Sequence, residues 1–193
     1  MSGWAEPVIG PTANGVRIWR RSLAGSDWDE VRGSGVIHCR PETVVALFET
    51  SDVPLIRSFN PCYDTGHDVE CYSPAAKVAY ARLKSAFPGF RPRDTVTAVE
   101  QHNVLPALGG GTVFLLKAFD HPDVPPAPGY VRAKLSGLNL VQPIPGKPEQ
   151  CEFTFTQLVD PGGAIPAWIM NMLVSREAVD FFARIRRAAQ GSH

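Results

Sequence analysis

Residues 151–163 read CEFTFTQLVDPGG, and residues 164–189 continue AIPAWIMNMLVSREAVDFFARIRRAA. In the first stretch Cys151, Phe153, Phe155, Gln157 and Val159 fall on one face, with Glu152, Thr154, Thr156 and Leu158 on the other. That alternation is the mark of a half-buried antiparallel strand. A Pro/Gly turn follows, and the period then changes. Ile165, Trp168, Ile169, Met172 and Leu173 stand at i, i+3, i+4, i+7 and i+8, one face of a helix. Arg176, Asp180, Arg184 and Arg187 form a roughly opposite charged stripe. A strand leading into one long amphipathic helix at the end of a strand-rich chain calls for the helix to cover one face of a curved sheet.

The rest of the chain supplies that sheet. Residues 16–22 and 29–39 read as strands, and Pro41-Glu42 opens a helix with Val44, Val45, Leu47 and Phe48 as its apolar side. A broken helix spans Val53 to Phe59. Strands then follow near 64–73, 77–85, 94–104, 112–119, 130–142 and 149–159, with Pro or Gly turns between them. We expect an α+β fold made of one domain over 1–193: two strands, short helices, six strands and the long helix.

Composition bounds the function. Of 193 residues, 44% are hydrophobic, and Lys+Arg 19 balance Asp+Glu 19. Such a chain has a core to bury and no basic excess to hold a nucleic-acid backbone. Pro 18 and Gly 17 together make about 18% of the chain, against roughly 12% in average usage. No basic segment followed by an apolar run opens the sequence, and no run reaches the ~18 apolar residues of a membrane span. The four cysteines form no CxxC pair. The chain therefore reads as intracellular and not secreted: cytoplasmic, or in an organelle lumen or stroma if a targeting segment has been removed.

Local motifs carry little chemistry. Gly109-Gly110-Gly111 lacks the GK[ST] ending and precedes a strand, so it reads as a mobile loop rather than a phosphate cradle. Cys62, His67 and Cys71 offer three ligands where a structural zinc wants four, which favours ordinary cysteines. No nucleophile elbow, HExxH or dinucleotide fingerprint is present. We expect no metal, no cofactor and no catalytic residues.

Three longer segments say more: FRPRDTVTAV (90–99), DHPDVPPAPGYVRA (120–133) and DPGGAIPAWIMN (160–171). Together, in this order and spacing, they resemble the START family of StAR-related lipid-transfer domains. Arg57-Ser58-Phe59-Asn60 stands where that family often has a W-D or Y-N pair. The resemblance spans about residues 15–189. It implies the helix-grip fold, a curved antiparallel sheet wrapped around a long C-terminal helix with an internal hydrophobic cavity. Family members usually begin with a long N-terminal helix, whereas here only Met1 to Asn14 stand before the first strand.

The function so implied is to bind one hydrophobic lipid (phospholipid, fatty acid or sterol-like) in the cavity, for transfer or sensing. The alternative is a cyclase or hydrolase of the wider helix-grip superfamily. The partners expected are the lipid and, transiently, a membrane, met through the C-terminal helix and the 105–111 loop. With zero net charge, membrane encounter needs a local patch, for which Arg184, Arg186 and Arg187 are candidates. The helix face Ile165, Trp168, Ile169, Met172 and Leu173 is the candidate lid lining, and Phe155 joins it from the strand. Sterol-binding members pair a buried carboxylate with an arginine on the next strand; an ungapped count from Pro92-Arg93-Asp94 puts Lys84 and Val99 there instead. A lone buried lysine is costly, so Lys84 either reaches solvent, which is favoured, or meets an acidic head. If it points inward, Tyr80 and Arg82 share its face, and Thr97, Val99, Gln101 and Asn103 face in from the next strand. Arg82, Lys84, Gln101 and Asn103, with Arg57 nearby, suit a carboxylate or phosphate head.

Overall fold

The computed structural model describes residues 4–12, 15–85 and 89–191, with residues 167–174 of the last helix given by their backbone. The chain runs β1 (Arg17–Ser22), β2 (Asp29–Ile37), α1 (Pro41–Glu49), α2 (Val53–Phe59), β3 (Tyr63–Ser73), β4 (Ala76–Leu83) and β5 (Arg93–Asn103). A single 3-10 turn at Pro106–Leu108 leads to β6 (Thr112–Ala118), β7 (Val131–Arg132), β8 (Lys134–Ile144), β9 (Lys147–Asp160) and α3 (Ala167–Gln190). The strands form one open, curved 9-stranded sheet in the order β1-β2-β9-β8-β6-β5-β4-β3, with β7 beside β5. Every pairing is antiparallel except β5 with β7. This is the helix-grip architecture expected from the sequence.

Two elements differ from the reading of the sequence. The strand expected over 130–142 breaks at Ala133: Val131 and Arg132 run parallel to Arg93 and Asp94, and β8 then pairs with β6 and β9. The last helix begins at Ala167 rather than near 164, because Pro166 is extended (ψ 130) and a proline disfavours helical backbone in the residue before it.

The core sits where α1 and α3 meet β1, β2 and β9. Along α3, Ala178, Phe182, Ile185 and Ala189 are buried, an apolar stripe at helical spacing. Phe182 reaches the sheet because β2 presents glycines there. A Cβ on Gly33 would lie 2.7 Å from the Phe182 ring and 2.6 Å from Phe155, and one on Gly35 would lie 3.3 Å from Phe182. Phe153 stacks on Phe48 of α1 at 5.4 Å and meets Phe182 at 5.4 Å, which ties α1, β9 and α3 into one aromatic cluster. Fully burying such a ring contributes about 1.5–3 kcal/mol. The helix α2 is started by Asp52, whose carboxylate accepts the Leu55 N–H at 2.7 Å.

Candidate functional site

The three distinctive segments meet on the outer face of the sheet. Asp94 at the start of β5 is fully buried. Its carboxylate accepts Arg132 Nε at 3.0 Å and the second Arg132 nitrogen at 3.1 Å, a bidentate pair. It also accepts the Ala127 N–H at 2.8 Å and the Tyr80 hydroxyl at 3.4 Å. Burial alone would raise the Asp94 carboxyl. The Arg132 guanidinium and the Ala127 N–H outweigh it and hold the group below the usual carboxylate range. Arg132 also donates to Val124 O at 3.1 Å, and Val124 packs on Val78, Tyr80 and Val96. Arg93 donates to Pro161 O at 3.1 Å and so fastens the turn before α3. This clamp straps residues 121–133 across the back of β4 and β5.

The inner face is different in kind. The concave side of the sheet, α1, α2 and α3 line a cavity with two main lobes. One lobe, of 380 Å³, lies between α3 (Ala178, Phe181, Arg184) and the sheet (Val31, Phe155, Gln157). The other, of 410 Å³, lies between α1 and α2 (Phe48, Ile56) and β4 and β5 (Ala79, Ala81, Thr97). Phe48, Phe59, Asn60, Leu116, Leu135, Gln157 and Val159 border both, so the lobes adjoin along a common wall. A smaller pocket of 210 Å³ adjoins them at the β3–β4 side. At the α3 wall Arg184 donates to Phe59 O at 3.0 Å and pairs with Glu177.

The residues singled out from the sequence fall in different places. Thr97 and Val99 are on the cavity wall, as is Phe155, which is 3% exposed. Ile165 is buried just ahead of α3. Tyr80 and Arg82 lie on the other face of β4: the register pairs Ala79 with Thr97 and Tyr80 with Val96, so it is Ala79 and Ala81 that share the inner face with Thr97. Arg82 donates to the Tyr80 hydroxyl at 3.1 Å and lies over the Tyr130 ring, while Tyr80 also borders the smaller pocket beside His67. Lys84 is exposed beyond the end of β4, its backbone N–H bonded to Cys62 O at 2.7 Å. Val99 stands opposite Lys77 and Leu116 rather than Lys84. Gln101 donates to Glu49 at 2.7 Å near the end of β5, and Asn103 is exposed. Arg57 is exposed and bonds Tyr63 O and Asp64, joining α2 to β3. The side chains of Trp168, Ile169, Met172 and Leu173 lie outside the described residues.

Two further placements matter. Arg186 donates to Val36 O at 2.7 Å, so Arg184 and Arg186 tie α3 to its neighbours instead of forming an open basic patch. The 105–111 loop carries the two most exposed large apolar side chains among the described residues: Leu105 is 67% and Leu108 70% exposed, and Gln142 donates to Leu108 O at 3.1 Å beneath them. No described helix is long and apolar enough to cross a membrane, and no cluster of metal-ligating side chains occurs among the described residues. Sequence reasoning passed over Phe48, Phe59, Leu116 and Asn139 as cavity residues. Asn139 left one usable signal, an amide set between Leu138 and Leu140 in β8.

The comparisons with known proteins fit this architecture. Human StAR-related lipid transfer protein 5 superimposes with a TM-score of 0.84 at 20% identity, covering 98% of this chain and 88% of that one. A STAR-related lipid transfer protein fragment from Xanthomonas axonopodis gives a TM-score of 0.80 at 20% identity, covering 98% and 99%. A more distant likeness is the Zhui aromatase/cyclase from Streptomyces sp. R1128, with a TM-score of 0.56 at 13% identity over 83% of this chain and 93% of that one. No curated protein matches the chain in sequence. The family model of the START domain matches residues 67–193, from β3 through the clamp, the cavity strands and α3, and the chain belongs to the START domain family.

Proposed function

We propose that the chain binds one hydrophobic lipid in the two-lobed cavity and carries or senses it, meeting a membrane through the 105–111 loop and α3. The observation that carries this reading is the pair of largely apolar lobes that share a wall under α1, α2 and α3. A long apolar molecule can lie from Val31 to Val99 along Phe48, Phe59, Leu116 and Phe155. Removing its surface from water supplies roughly 25 cal/mol per Å², and cavities of roughly 300–1,000 Å³ are the usual size for such ligands. Thr97, Val99 and Phe155 are the sequence-derived contacts we retain. Leu105 and Leu108 give the loop an apolar tip suited to the acyl boundary of a bilayer.

The enzyme alternative requires converging acid and base groups in the cavity. Glu100 and His102 do meet, at 3.1 Å, but both are exposed, and neither borders the cavity. At the α3 wall Glu177 and Arg184 are joined to each other. The test is organic extraction of the purified protein followed by mass spectrometry, together with transfer of labelled lipid between liposomes. Stoichiometric lipid and catalysed transfer are expected. Lipid-free protein that neither loads nor moves any lipid would refute the reading.

A further inference from the structure

Asn139 is 6% exposed in the middle of β8, and its Oδ1 has no hydrogen-bond partner among the described residues. It stands between Phe114 of β6 and Phe155 of β9 and borders both the 380 Å³ lobe and the smaller pocket. A buried amide that finds no partner in the protein carries a desolvation penalty that a bound group can relieve. The other unpartnered buried atom, Arg32 Nε, belongs to a guanidinium lying over Trp19, away from the cavity.

A second carboxamide lies near the first. Gln157 pairs with Gly137, two residues from the Asn139–Phe155 pair, and borders both lobes. The two amides are thus diagonal neighbours on one face, within roughly 7–8 Å. The position between them stays open for a backbone reason. Gly137 has φ +154, and a Cβ there would fall 1.9 Å from Thr156 O, so no side chain can fill the gap.

The charges around this spot cancel. Arg184 is the one cation bordering the 380 Å³ lobe among the described residues, and it pairs with Glu177, while Asp29, the other acid on its border, pairs with Arg20 at 3.0 Å. A carboxamide is neutral and offers both an acceptor and donors. Its best match is a group that also both donates and accepts.

We propose that the cavity selects an uncharged lipid bearing a hydroxyl or secondary amide, held by the Asn139 carboxamide with Gln157 beside it. This rests on the lipid-binding reading above and narrows its ligand class. Two isosteric probes that differ in one N–H, N-methyl oleamide and methyl oleate, test it by displacement of a fluorescent fatty probe from wild type and from Asn139→Leu. The amide-to-ester affinity ratio is expected to be about tenfold higher in wild type, the worth of one hydrogen bond. Oleyl alcohol is expected to bind wild type more tightly than oleate does. Melting curves check that the variant is folded, and Asn139→Ala replaces it if it is not. An unchanged ratio, or tighter binding of oleate, overturns this inference while leaving lipid binding intact. Failure of every probe to bind overturns both.

Discussion

β4 and β5 carry two unlike surfaces. On the outer side Asp94 accepts four hydrogen bonds, from Tyr80, Ala127 and twice from Arg132, and no solvent reaches it. On the inner side Ala79, Ala81, Thr97 and Val99 border a cavity. The outer surface tolerates few residue types, since a bidentate pair needs a guanidinium, a carboxylate and fixed backbone around them. The inner surface needs only small or apolar side chains that leave room. That contrast explains why the charged motif residues Asp94 and Arg132 lie on the back of the sheet, while the motif residues on the cavity side, Thr97, Val99 and Ala133, are small or apolar.

The strongest way to break the contrast is Asp94→Asn. It leaves the buried Arg132 charge without its counter-ion, and loss of about 3 kcal/mol in urea unfolding is expected. The same carboxylate makes stability fall in acid. Its folded pKa is lowered, so its contribution is present above the unfolded carboxylate range near ~4 and is lost as pH drops through the folded value. Melting temperature followed from pH 6 to pH 2 should therefore fall less steeply in Asp94→Asn than in wild type.

Gly33→Ala probes how closely α3 approaches the sheet. Its methyl would sit 2.6–2.7 Å from Phe155 and Phe182, and a loss of about 2 kcal/mol is expected by thermal or urea melting. A change confined to the inner surface should behave in the opposite way. Leu116 borders both lobes and the smaller pocket, so Leu116→Trp should lower lipid loading about tenfold and shift stability by no more than about 1 kcal/mol. Equal damage to folding from Leu116→Trp would mean that the lobes are packing defects rather than a ligand site. The smallest effect is expected for the pair Leu105→Ser and Leu108→Ser. Both leucines are exposed, so the melting temperature should stay put while liposome transfer falls roughly threefold.

Much of the fold is legible in local pattern. The alternation of 151–159 and the helix after Pro166 are properties of neighbouring residues, and the structure keeps the strand and the helix. The division at Ala133 has no such signal. It arises because Arg132 turns to Asp94, about 40 positions earlier in the chain, and a long-range ion pair leaves no mark on local periodicity. The faces of β4 illustrate the same limit. Val78 and Tyr80 are buried under Val124, and Ala79 and Ala81 border the cavity. A strand covered on both sides has no polar face to reveal which side is inner. Taking Lys84 as inward-facing grouped Tyr80 and Arg82 with Thr97, whereas the register groups Ala79 and Ala81 with it.

The sequence by itself determined the family, the helix-grip fold class and the order of strands and helices apart from the break at Ala133, because these depend on spacing and on a few obligatory polar groups. Only the tertiary structure decided which side of β4 meets the cavity, that Arg184 and Arg186 are tied to Phe59 and Val36, and that the Asn139 Oδ1 finds no partner among the described residues beside the cavity. Each of those facts depends on which strands lie side by side and which segment covers them, and that is fixed by contacts between residues far apart in the chain.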